Sequence, residues 1–193
     1  MTTIAELAKA RIAPAWFHRD AATVARELIG TALVHGKKAG LVVETEAYTG
    51  PGDLASHARF GKPGKGTART SVMWGPGGIA YVYLCYGIHE MFNVVTGPLG
   101  SGQAVLVRAI APLVGLPDDP AVGRGPGKVT TALELNRTHD RRDLAKGTLF
   151  FAHVDRPAPP IAVGPRVGVD YAGESAKLAL RFSWRGHASV SRG

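Results

Sequence analysis

The sequence predicts an α+β fold: a single compact domain whose curved, largely antiparallel β-sheet is flanked by short helices and long loops. Three observations predict it. Strand-like runs outnumber helical ones, no regular β-α-β alternation appears, and 25 glycines and 13 prolines in 193 residues cut the chain into short elements. The length suits one domain spanning 1–193, and 45% apolar residues suffice for one core. No internal repeat or linker divides the chain.

Asp20, followed by AATVARELI and Gly30, reads as a helix with an acidic N-cap and a glycine past its end. TALVH at 31–35 and LVVETEAY at 41–48 flank GKKAG at 36–40, so they read as a hairpin around a Gly/Lys turn. Residues 49–78, with repeated Gly and Pro and few apolar side chains, predict a long basic loop. IAYVYLCY at 79–86 is a strand broken by Gly87, and IHEMFNVVT runs on towards another. QAVLVRAIAP at 103–112 is a third strong strand, ended by Pro112. GRGPGK at 123–128 leads into a short helix over 128–135, and NRTHDRRDLA offers a polar turn with a second short helix. Late strands are expected at 148–154, 160–164 and 178–184.

Lys and Arg number 23 against 15 Asp and Glu, a formal charge of +8. Its distribution says more than its size, because between Asp53 and Asp118 the only acid is Glu90. Such a stretch suits a polyanionic partner, although solvated surface cations would read the same way. The single cysteine, Cys85, excludes an internal disulfide framework, and the seven histidines show no metal-ligand spacing. GRGPGK lacks the Ser or Thr that a Walker A loop needs after its lysine, and no GxGxxG opens a helix after a strand. Neither a metal nor a nucleotide cofactor is expected. With no apolar leader and no membrane-length apolar run, a cytoplasmic protein that avoids membranes is the expectation.

Side chains alternate along a strand, so Val42, Glu44, Glu46 and Tyr48 are expected on one face. Two carboxylates beside an aromatic ring suit general acid–base work, but the pattern equally fits a solvent-facing strand side. Arg108 falls in register with Ala104, Leu106 and Ile110, and a guanidinium on so apolar a face needs a partner, for which Glu44 and Glu46 are candidates. Tyr81, Tyr83 and Cys85 share one face of their strand while Tyr86 points away beside Gly87, free to project into a partner. The glycines before 128 could offer backbone N–H groups, with Lys128, to a phosphate.

VVETEAYTGPGDLASHARFG at 42–61, GGIAYVYLCYGIHEMFNVVTG at 77–97 and AVLVRAIAPLVG at 104–115, in that order, closely resemble the alkyladenine (3-methyladenine) DNA glycosylase family. GPGKVTTALELNRTHDRRDL at 125–144 and RVGVDYAGE at 166–174 extend the resemblance over nearly all of residues 15–190. It implies a monofunctional base-excision repair enzyme, active as a monomer without a cofactor. Such an enzyme flips a damaged purine from double-stranded DNA and hydrolyses its N-glycosidic bond. By motif match Glu46 is the general base, Arg108 helps position the attacking water, and the backbone carbonyl of Val167 is a third water partner. Tyr48 is matched to the ring stacking on one face of the flipped base, with His57 and Tyr83 closing the other, and the His57 N–H to a contact with the base edge. Asn93 is matched to the residue that disfavours the amino group of normal guanine, and Tyr86 to the tyrosine that fills the gap in the duplex. Glu44 is expected to be structural.

Overall fold

In the computed structural model, which describes residues 2–192, eight strands form one curved antiparallel sheet. They are β1 (Ala32–His35), β2 (Lys38–Tyr48), β3 (Ala80–Cys85), β4 (His89–Thr96), β5 (Gln103–Val114), β6 (Leu149–Ala152), β7 (Ile161–Gly164) and β8 (Arg181–Trp184). The order β3-β4-β5-β2-β1-β6 places the two longest strands side by side at the centre. β2 outruns β1, and its free second half, Glu44–Glu46, pairs with β8, which in turn pairs with β7. The α+β expectation holds. The late strands lie inside their expected windows but are shorter.

Three helices cover the sheet: α1 (Ile4–Lys9), α2 (Ala21–Leu28) and α3 (Pro126–Ala132). In α2, Asp20 caps the Thr23 N–H at 2.9 Å, while Ala21, Val24, Ala25 and Leu28 are buried on its sheet-facing side. Burying a residue such as Leu28 stabilises the fold by about 1.5–3 kcal/mol. α1 was not expected from periodicity, but its capping box, Thr3 with Glu6, is a start signal written in the sequence. α3 begins and ends earlier than the expected 128–135. Gly125, at φ 122°, and Pro126 in the first turn start it, and Glu134 adopts φ 55° just after it.

Two corrections follow from close packing in the sheet. The turn between β1 and β2 is confined to Gly36 and Lys37, because Lys38, Ala39 and Gly40 already pair with β1. Gly40 is glycine for a packing reason, since a Cβ there would sit 2.4 Å from Ile110 Cδ1. The second correction concerns which residues share a face. The β2/β5 register slips between Val42 and Glu44 and again between Glu44 and Thr45, making Val43 and Arg108 extra residues on their strands. Val42 and Ile110 therefore turn into the main core with Ala47, Val105 and Val107, away from Glu44 and Arg108. Leu41, Val43, Ala109 and Ala111 form a separate cluster on the opposite side.

The 49–78 segment is more ordered than a basic loop. It holds two 3-10 turns, His57–Arg59 and Ser71–Trp74, and buries Val72, Met73 and Trp74 against Tyr81, Val95 and Ala104. After a 3-10 turn at Arg137–His139, the chain runs along the outer edge of β3, where Ala80 and Arg142 and then Arg141 and Ala80 exchange backbone bonds of 2.8 Å. This covers part of an edge strand that would otherwise be open.

Candidate active site

Glu46 sits in the middle of the sheet, fully buried, where β2 is flanked by β5 and β8. Three donors from three parts of the chain converge on its carboxylate. The Val167 N–H donates to Oε1 at 2.8 Å, the Tyr48 hydroxyl donates to Oε2 at 2.9 Å, and Arg108 Nη1 lies 3.3 Å from Oε1. Burial raises the Glu46 pKa, and Arg108, the Val167 N–H and Tyr48 oppose the rise by stabilising the ionised form. The group is thus a carboxylate with a proton affinity above that of an exposed glutamate.

Arg108 answers both partners anticipated for it. Its Nε donates to Glu44 Oε1 at 3.3 Å while Nη1 faces Glu46, so the two glutamates share one guanidinium. Glu44 is fully buried and already engaged by Arg181 at 3.3 Å and the Ser191 N–H at 2.8 Å. Saturated in this way, it is a structural anion rather than a second acid–base group.

Tyr48 lines a cavity of about 450 Å³ together with Glu46, Arg108, Leu106 and Val167. Behind its ring lies the Arg166 guanidinium, 4.8 Å from the ring centroid, which Asp53 grips through both oxygens, Nη2 reaching Oδ1 at 2.8 Å. Arg166 also donates to the carbonyls of Ala47 and Ser175, each at 2.9 Å, tying the 49–56 turn and the 170–177 segment to the end of β2. Neither Asp53 nor Arg166 stood out in the sequence as a site residue. They are 113 positions apart, and a buried ion pair carries no local signal.

His57, Tyr81 and Tyr83 also line the cavity and pack on one another. The His57 ring meets Tyr83 edge-on with centroids 4.6 Å apart, and Tyr81 lies 5.2 Å from Tyr83. Arg69 Nη2 is 3.2 Å from His57 Nε2, which must accept, so the proton resides on Nδ1 and is donated to the Tyr81 hydroxyl at 2.9 Å. Burial, helped by Arg69 and Arg59, pushes the His57 pKa down to about 4, so the imidazole is neutral at pH 7. Burial also raises the phenol of Tyr81 to about 12 and lifts that of Tyr83. Asn93, from β4, is buried in the same cavity with Nδ2 donating to the Tyr81 carbonyl at 3.2 Å. Aromatic side chains dominate the lining, with the Arg69 guanidinium beside His57 and 5.1 Å from the Tyr83 ring centroid, and with the charges of Glu46 and Arg108 buried in the sheet.

Tyr86 occupies the rim. It is 90% exposed at the tip of the β3–β4 hairpin, in a turn closed by the Ile88 N–H on the Cys85 carbonyl at 3.1 Å. Its φ of 49° and the 73° of Gly87 make this a mirror-image turn, which matches the twist of the strands but strains a side chain like tyrosine. The stretch between Asp53 and Asp118 supplies most of the cavity lining. Val167 lines the cavity with its N–H bonded to Glu46. Lys128, within α3, lies apart from the cavity lining and donates to the Ala121 carbonyl at 3.3 Å.

A buried carboxylate in a cavity lined by Tyr48, His57, Tyr81 and Tyr83 suits acid–base chemistry on a ligand that carries a flat, unsaturated ring. Comparison with known proteins gives that class a family. The model of the methylpurine-DNA glycosylase family matches residues 15–188. The chain is 46% identical over 187 residues to a protein of Anaeromyxobacter sp. (strain Fw109-5), covering 94% of this chain and 93% of the relative. It is 48% identical over 184 residues to one of Myxococcus xanthus (strain DK1622), covering 92% of each, and 37% identical over 203 residues to one of Bacillus thuringiensis (strain Al Hakam), covering 93% and 98%. All three carry the name "Putative 3-methyladenine DNA glycosylase". The chain belongs to the methylpurine-DNA glycosylase family and is a hydrolase of the N-glycosylase type, acting on alkylated bases in DNA.

Proposed function

We propose that the protein removes alkylated and deaminated purines, of the 3-methyladenine, 7-methylguanine, hypoxanthine and ethenoadenine class, from double-stranded DNA. It flips the nucleotide into the cavity, hydrolyses the bond from C1′ to the base and leaves an abasic site. The observation that carries this reading is the buried Glu46 carboxylate, hydrogen-bonded by Tyr48 and the Val167 N–H and paired with Arg108, in a cavity lined by aromatic side chains. Flipping costs a few kcal/mol, least for a damaged or mispaired base, which supplies part of the selectivity.

Tyr48 stacks on one face of the base and His57 with Tyr83 closes the other, the neutral imidazole adding no charge against a cationic lesion. Asn93 works against the exocyclic amino group of normal guanine. A purine alkylated at N3 or N7 is cationic, so the bond to C1′ breaks with its electron pair leaving on a neutral base. A water oxygen then bonds to C1′, its proton passes to Glu46, and the carboxylate stabilises the oxocarbenium-like centre. Arg108 and Val167 position that water. Neutral lesions leave less readily and need protonation of the base. Tyr86 enters the vacated place in the duplex and offsets part of the lost stacking. Lys128 holds a phosphate of the DNA backbone.

Glu46→Gln keeps the shape but removes the base. We expect lesion-duplex binding to be retained while release of free base in a single turnover falls at least about 100-fold, the lower end of what general-base catalysis contributes. Wild-type release by that variant overturns the assignment.

A further inference from the structure

The guanidinium of Arg108 is planar, and each of its nitrogens meets a different anchor. Nε donates to Glu44 and Nη1 faces Glu46, both at 3.3 Å, while Nη2 donates to Ser191 Oγ at 3.2 Å. Strong charge-assisted bonds are nearer 2.7–2.9 Å, so neither glutamate alone fixes the plane of the group. The backbone is no substitute, because Arg108 is the bulged residue of β5 and is skipped in the pairing with β2. The Ser191 hydroxyl is thus one of three comparable anchors that together set where the guanidinium points.

That anchor comes from the C-terminal segment, which is docked along the sheet. Val190 packs on the cluster of Leu41, Val43, Ala109 and Ala111, Ser189 is buried, and Arg124 holds the Ala188 carbonyl. Ser191 contributes twice. Its hydroxyl accepts from Arg108, and its N–H donates to Glu44 Oε2 at 2.8 Å, the shortest bond that Glu44 makes. One residue thereby fixes both Arg108 and the anion beside it.

We propose that Ser191 is a positioning residue for base excision, setting the aim of Arg108 at Glu46 and at the attacking water. The inference rests on the roles given above to Glu46 and Arg108. Ser191→Ala removes only the hydroxyl. We expect base release from a 7-methylguanine duplex under single-turnover conditions to fall about tenfold, the size of one lost hydrogen bond to a charged group. The dissociation constant for lesion duplex stays within about twofold, since no binding surface is altered. Ser191→Thr keeps the hydroxyl and restores the rate. In an Arg108→Gln background, Ser191→Ala costs nothing further, because the group it positions is gone. A wild-type rate in Ser191→Ala, a loss of binding equal to the loss of rate, or the same tenfold cost in the Arg108→Gln background each overturns the proposal. The coupling between Ser191 and Arg108 is a ratio of rates, so it stands or falls separately from the outcome of Glu46→Gln.

Discussion

Glu46 and Tyr86 belong to one cavity but are held in opposite ways. Around Glu46, strands β2, β5 and β8 and the chain at Val167 and Ser191 place every charged group against a partner, and the carboxylate is wholly buried. Tyr86 projects from the tip of a hairpin, 90% exposed beside Ile88 at 74%, in a backbone region that tyrosine rarely adopts. The chemistry end cannot be rearranged without leaving a buried charge unpaired. The rim tolerates strain because nothing is packed around it. Burial makes the first region a product of the fold, whereas the second is shaped at the fold's expense.

The comparison is broken most severely at the buried end. Asp53→Ala leaves Arg166 fully buried without its carboxylate and Tyr48 without a fixed backing. Stripping one partner from a buried pair typically costs about 3–5 kcal/mol, so chemical denaturation should show a loss of that order. A loss below about 1 kcal/mol, the level of an exposed pair, would mean that water reaches Arg166 and that the Tyr48 wall is not rigid.

At the rim the balance reverses. Tyr86→Asn relieves a backbone strain of roughly 1–2 kcal/mol, since asparagine tolerates the left-handed region, so the free protein should be at least as stable as the wild type. Lesion capture from duplex should nevertheless weaken by about tenfold, the stacking of one ring, with less effect on a single-stranded substrate whose base is already unpaired. Equal losses on duplex and single strand would remove the wedge role. A drop in stability would remove the claim of strain.

What was legible in the sequence follows the same division. Glu46, Tyr48 and Arg108 fall together because alternation over β2 and β5 is local, and the aromatic run of β3 announces both Tyr83 on the wall and Tyr86 at the turn. Val42 and Ile110 were assigned to the wrong face because a bulge inserts one residue without any compositional mark, and every side chain beyond it changes sides. Gly40 looked like turn punctuation although it serves the close approach of Ile110. The pairings of Asp53 with Arg166, of Arg69 with His57 and of Ser191 with Glu44 join residues distant in sequence or lying in irregular segments, where no periodicity exists to read. Resemblance to a family implied roles for single residues; it did not supply the supports beneath them.

The smallest effect sharpens the comparison within the aromatic lining of the cavity. Burial, with Arg69 and Arg59 alongside, pushes the His57 pKa down to about 4 from the roughly 6.5 of a free imidazole. The unfolded chain therefore binds the proton more readily, and stability should rise with pH from about 4 to about 6.5 as the unfolded state loses that advantage. Above that window His57 contributes no pH dependence. His57→Gln removes the titration, so its stability curve should be flatter than the wild-type curve between those limits and parallel to it above them. Nuclear magnetic resonance of the imidazole gives the direct reading, and a titration near 6.5 would show that the wall is wet and the histidine free to protonate. A cationic His57 would then face a cationic alkylpurine at neutral to mildly acidic pH, and excision of 7-methylguanine would fall relative to hypoxanthine as pH drops through 6.5. With His57 titrating near 4, that divergence should appear only at the lower pH.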